Sequence, residues 1–109
     1  MNDIKSIKKS VNILKKSKAQ FALLHCISEY PADTKRLNLD FINVLKKTFP
    51  NVVIGYSDHS LGIIPSISAI SKGALIIEKH FTDTKKRSGP DIVCSMDPQE
   101  LELLKKASI

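Results

Sequence analysis

Only two cysteines, Cys26 and Cys94, occur in this chain of 109 residues, and they form no Cys-x-x-Cys pair. That spacing argues against a disulfide framework and leaves two reduced, buried thiols. No apolar run approaches the ~20 residues that span a bilayer, and the N-terminus lacks an apolar signal-peptide core. The chain therefore reads as cytoplasmic, with no membrane partner. Neither Gly-x-Gly-x-x-Gly nor a P-loop is present, so the common nucleotide fingerprints are excluded. No serine sits in a nucleophile elbow, which leaves a Ser-His-Asp hydrolase unsupported. Low-complexity tracts and residue-level repeats are also missing. Aromatic residues make up only 6% and are not interleaved with the basic ones. Without such a pattern or a known module, the net charge of +6 does not indicate nucleic acid. It reads as a solvated basic face with some attraction for anionic substrates.

What is present is the composition of a globular protein, 42% hydrophobic and 26% charged, long enough for one small domain. Residues 3–18 read as a helix, with Ile4, Ile7, Val11 and Leu14 at three- and four-residue spacing and Asp3 as N-cap. Its other face carries Lys5, Lys8, Lys9, Lys15 and Lys16. Phe21 to Cys26 is a short apolar run and reads as a buried strand. Leu37, Phe41, Leu45 and Phe49 mark a second helix, which Pro50 ends. Val52 to Tyr56 reads as the second strand. A third helix is expected over about residues 62–72, with Pro65 in its first turn and Gly73 as its stop. The third strand is expected at Leu75 to Ile77, running on to Phe81. A loop over residues 82–96 leads to a last helix that opens on Asp97-Pro98-Gln99-Glu100, a capping-box pattern. Leu101, Leu104 and, more weakly, Ala107 and Ser108 line its inner side. Strands alternating with helices at this rhythm predict a parallel α/β sheet, its strands side by side and their C-terminal ends along one rim. Three strands make a poor complete sheet. A closed (β/α)₈ barrel takes about 250 residues, so the chain reads as part of one.

Chemistry in parallel α/β sheets gathers where strands stop. Two runs here stop at a histidine preceded by a carboxylate: Asp58 beside His59, and Glu78 two residues before His80. Imidazoles at neighbouring strand ends can meet at metal-ligand distance, with the carboxylates orienting them or completing the coordination. Spacing alone leaves a second reading open, in which the two histidines are unrelated strand caps. His25 lies within its apolar run and reads as a core histidine. Ser57, Ser28, Tyr30 and Asp91 stand at the same rim, where each can contact phosphate or hydroxyl groups or satisfy its own loop.

Three stretches carry a resemblance. Leu23-Leu24-His25-Cys26-Ile27-Ser28-Glu29-Tyr30-Pro31 resembles the sixth-strand motif of the sialic acid synthases. Gly55-Tyr56-Ser57-Asp58-His59-Ser60-Leu61-Gly62 resembles their seventh. Glu78-Lys79-His80-Phe81-Thr82, with Gly89-Pro90-Asp91-Ile92-Val93-Cys94-Ser95-Met96, resembles the eighth and its loop. The resemblance runs over residues 1–109. It implies a (β/α)₈ barrel condensing phosphoenolpyruvate with N-acetylmannosamine to N-acetylneuraminate and phosphate; related members make legionaminic or pseudaminic acid. It implies Mn²⁺ or Mg²⁺ held by His59 and His80. It also implies a phosphate contact at Ser57, amino-sugar contacts at Tyr30 and Asp91, and an acid–base or metal-orienting role for Glu78. Ser28 stands where some relatives carry a sugar-contacting asparagine. The match places residue 1 at the helix after strand five and residue 109 at the helix after strand eight. The metal-proximal glutamate, the phosphate-binding lysines of the first five strands and the C-terminal antifreeze-like domain fall outside it. The family enzyme is implied to be a homodimer, and the chain alone is expected not to turn over; the alternative to a synthase segment is a non-catalytic metal- or phosphate-binding fragment.

Overall fold

The computed structural model describes all of residues 1–109. Its elements run α1 (Ile4–Lys16), β1 (Ala22–Cys26), α2 (Phe41–Thr48), β2 (Val53–Asp58), α3 (Ile64–Ser71), β3 (Ile77–Lys79) and α4 (Pro98–Ala107). Short 3₁₀ turns at Thr34–Arg36 and Ile92–Cys94 interrupt the loops. The three strands are parallel and lie in the order β1-β2-β3, with Ala22 opposite Val53, Cys26 opposite Ser57 and Tyr56 opposite Ile77. This is the expected part-barrel α/β unit.

Side chains alternate between the two faces of each strand. One face is covered. Leu23, Ile54, Tyr56 and Ile77 pack against Val11 of α1, Ile42 and Leu45 of α2, Phe49, and Ala69 of α3. On the other face Val53 and Ile76 are exposed, and Leu75 is 76% exposed. β1 and β3 are unpaired edges within this unit. A backbone exposing both edges and one sheet face is what a segment of a closed barrel presents.

Local chemistry explains most element ends. Asp3 accepts from the Ser6 amide at 2.8 Å and starts α1, as its position predicts. Asp97 and Glu100 form the reciprocal capping box at the start of α4. Gly73 stops α3 with φ +89°, a conformation that favours glycine. Gly55 is needed for a different reason. A Cβ there would come within 2.6 Å of the Ile76 carbonyl oxygen, so only glycine lets the two chains run this close.

Several expected boundaries shift. α2 begins at Phe41 rather than near Leu37, because Asn38 turns left-handed at φ +47° and breaks the helical path. Leu37 instead fills a second small cluster with Ile27 and Ala32. β2 extends to Asp58, beyond the expected Tyr56. β3 is reduced to Ile77–Lys79, although hydrogen bonds from Leu75 N to Ile54 O and from Tyr56 N to Ile76 O already tie the chain to β2. In α4 only Leu104 is buried; Leu101, Ala107 and Ser108 face outward.

Candidate active site

The alternation that buries Tyr56 and turns Ile77 toward the core sends Ser57 and Glu78 to the opposite face, and these two are register partners across β2 and β3. Ser57 donates its hydroxyl proton to Glu78 Oε1 at 2.7 Å. One residue beyond each strand, His59 and His80 bring their ring centroids to 5.7 Å, inclined at 63°. Tyr30, from the loop after β1, stacks on His59 at 4.2 Å and meets His80 edge-on at 5.8 Å. Asp91 approaches from the loop after β3, its Oδ2 4.0 Å from His80 Nδ1. Tyr30, Ser57, His59, Glu78, His80 and Asp91 thus gather at one rim. Ser28 stands apart, exposed, with its hydroxyl 3.7 Å from Cys26 Sγ.

Hydrogen bonding fixes how the rings present themselves. His59 is 7% exposed, and its Nδ1 lies 3.1 Å from the Ile27 carbonyl oxygen. A carbonyl only accepts, so neutral His59 carries its proton on Nδ1 and keeps the Nε2 lone pair free. Ser57 Oγ lies 3.5 Å from that Nε2, but its proton is committed to Glu78. A backbone-held Nδ1–H with a free Nε2 is the usual state of a metal-ligating histidine. His80 faces Asp91 with Nδ1 and can be oriented in the same sense. The donor set therefore fits a divalent metal as a pair of imidazole ligands. No three His, Cys, Asp or Glu side chains assemble into a metal-holding cluster in this chain, so the pair is the part of a coordination shell that these residues supply.

Two residues differ from their sequence reading, and a third had none. Asp58, expected to orient or join the metal ligands, is fully buried on the helix-covered face. Adjacent residues in a strand point in opposite directions, so a carboxylate next to His59 cannot share its side of the sheet. Cys26, expected as a buried thiol, is half-buried and lies on the site's face, 3.7 Å from His59 Nδ1. Lys79, which the sequence did not single out, is enclosed beside Asp58. His25 behaves as a core histidine, bonding Leu37 O through Nε2 at 2.7 Å between Phe41 and Tyr56. Cys94 is buried, as expected.

A profile of the NeuB family matches residues 1–108. The chain belongs to the NeuB family. Among its relatives, an N-acetylneuraminate-9-phosphate synthase of Drosophila melanogaster is 45% identical over 98% of this chain and 29% of its own length. An N,N'-diacetyllegionaminic acid synthase of Campylobacter jejuni is 44% identical over 95% of this chain and 32% of its own. The crystal structure of the N-acetylneuraminic acid synthetase of Leptospira borgpetersenii, in complex with citrate, matches with a TM-score of 0.94 and 41% identity. It covers 99% of this chain, which spans 38% of that one. This NeuB-family chain thus spans about a third of the length of such relatives, and its strands and helices superpose on that part of the synthetase.

Proposed function

We propose that this NeuB-family chain forms the metal- and sugar-facing wall of a phosphoenolpyruvate-dependent nonulosonic acid synthase, corresponding to strands six to eight of a (β/α)₈ barrel. The reaction condenses phosphoenolpyruvate with N-acetylmannosamine and water to give N-acetylneuraminate and phosphate. Carbon three of phosphoenolpyruvate bonds to the sugar's aldehyde carbon, water adds at carbon two, and phosphate departs with its bridging oxygen. The observation that carries this reading is the meeting of His59, Glu78 and His80 at the ends of β2 and β3 with Tyr30 from the loop after β1, in a chain of this family.

His59 and His80 would hold Mn²⁺ or Mg²⁺ through their Nε2 atoms. When bound, the ion supplies Lewis-acid polarisation of the sugar aldehyde. Tyr30 and Asp91 flank the same rim and offer a hydroxyl and a carboxylate to the amino sugar. Ser57 has one proton to donate, and Glu78 holds it. A phosphate contact at Ser57 therefore requires that hydrogen bond to be exchanged as phosphoenolpyruvate arrives. Glu78 is then released to accept or return a proton at the sugar oxygen. Ser28, at the outer edge, has room to take part in sugar choice. The remaining parts of a complete site, namely phosphate-binding lysines, a further metal ligand and a dimer partner, belong to the same proposal, as does a cytoplasmic setting. No helix here is long and apolar enough to cross a membrane.

The named products of the relatives differ, and this favours a second reading in which the amino sugar is the precursor of legionaminic or pseudaminic acid. Grafting residues 1–108 in place of the matching segment of the Leptospira synthetase gives a complete barrel. Phosphate release from phosphoenolpyruvate and Mn²⁺ is then compared across amino sugars. Turnover with N-acetylmannosamine above the others supports the first reading. Preference for another amino sugar supports the second, and a folded but inactive graft with every sugar overturns both.

A further inference from the structure

The last register pair between β2 and β3 is Asp58 opposite Lys79, and the next residue on each strand is one of the two histidines. Beyond that pair no backbone ladder joins the two chains. The His59 carbonyl instead accepts from Ala32 N at 2.9 Å, and the His80 carbonyl from Met96 N at 2.8 Å. His59 is therefore tied to the loop after β1 and His80 to the loop after β3, and neither to the other's strand. What crosses the gap is an enclosed ion pair. Asp58 and Lys79 side chains are both 0% exposed, with Lys79 Nζ 3.4 Å from Asp58 Oδ2. Lys79 Nζ also donates to the Ser60 carbonyl at 2.8 Å, directly after His59. Asp58 is held in turn by the Ser60 amide at 2.9 Å and hydroxyl at 2.5 Å, by Ser66 Oγ of α3 at 2.5 Å and by Tyr56 OH at 3.4 Å. The pair thus grips the chain on both sides of His59 and the residue just before His80.

We infer that Asp58 and Lys79 are positioning residues that set the separation of His59 and His80. Their side chains act from the opposite face of the sheet. Enclosed charges are costly to place and depend on good geometry, so the arrangement tolerates little sliding between the strand ends. The inference rests on reading the two histidines as functional partners, but its test needs neither metal nor turnover, so the two can fail separately.

The test uses the 109-residue chain, labelled for NMR. In the unaltered protein, ring protons of His59 and His80, with centroids 5.7 Å apart, are expected to give a nuclear Overhauser cross-peak, as are those of Tyr30 and His59. Lys79→Met is expected to lose the His59–His80 peak while keeping the Tyr30–His59 peak and the His25–Tyr56 core contact. Lys79→Arg is expected to retain it. Because Lys79→Met leaves Asp58 charged and enclosed, the neutral double variant Asp58→Asn/Lys79→Met serves where the single one unfolds; it too should fold and lose the peak. A His59–His80 peak that persists in a folded variant lacking the pair overturns the inference. So does unfolding of both variants, which makes the pair a requirement of the fold rather than of the ring spacing.

Discussion

Asp58→Ala removes a carboxylate that accepts from the Ser60 amide and hydroxyl, from Ser66 Oγ and from Tyr56 OH, with Lys79 at 3.4 Å. None of these groups gains water in exchange, because Asp58, Ser60 and Ser66 are fully buried and the Lys79 side chain is enclosed. Breaking a buried pair by removing one partner costs about 3–5 kcal/mol, mostly from the uncompensated charge left behind. Native domains are stable by about 5–15 kcal/mol, so this is a large fraction of the total. At about 4–8 °C per kcal/mol for a domain near this size, the melting temperature should fall by at least about 12 °C. Urea titration followed by circular dichroism at pH 7 measures the free-energy loss, with the slope confirming that the same surface unfolds. A loss below about 1 kcal/mol with an unchanged slope would refute the reasoning, since it would mean that Lys79 finds solvent or another partner at little cost.

Burial, and then the neighbouring Asp58 carboxylate, push the Tyr56 phenol well above its usual value of 10.0. The protonated phenol is thus favoured in the folded state, so its contribution is complete below about pH 10 and declines as unfolded Tyr56 ionises above it. Stability should fall with pH above 10 less steeply in Tyr56→Phe than in the unaltered chain; equal slopes in alkaline urea titrations would contradict this. Gly55→Ala forces a Cβ against the Ile76 carbonyl. Such overpacking costs about 1–3 kcal/mol, and hydrogen exchange should quicken first at the Tyr56 and Leu75 amides, which span β2 and the chain before β3. Asp97→Ala deletes the capping box of α4 and should cost about 1 kcal/mol in the same urea assay, with no change in the His59–Tyr30 stacking seen by NMR. The 109-residue chain alone, given phosphoenolpyruvate, N-acetylmannosamine and Mn²⁺, should release no phosphate in a coupled assay; release would show that one wall suffices.

The order of helices and strands was readable because apolar spacing changes from three-and-four to continuous runs, and because Asp3, Gly73 and Asp97 punctuate it. The rim was readable too, since both apolar runs end in polar, ionisable residues. The face on which each of those residues lies was harder to see. Asp58 and Glu78 look equivalent as carboxylates near a histidine, yet Glu78 is two residues from His80 and shares its face, whereas Asp58 is one residue from His59 and cannot. Period-two alternation contains that distinction, and it also points to Lys79 as the partner of Asp58. The left-handed turn at Asn38 had no comparable signal. Leu37 fits the helical stripe of α2 by spacing, but the turn at Asn38 cuts it from the helix and it packs with Ile27 and Ala32 instead. The half-exposed setting of Cys26 follows from the open sheet face, which depends on what lies beside the strands rather than on the residues within them.

The pairing of His59 with His80 as metal ligands is tested most directly by Mn²⁺ affinity in a complete barrel carrying residues 1–108 of this chain, measured by calorimetry for His59→Ala and His80→Ala separately. Each substitution should weaken binding by about 10-fold or more, since losing a ligand costs at least as much as losing one of its supports. Affinity unchanged in both folded variants would contradict the account and return the two histidines to strand caps.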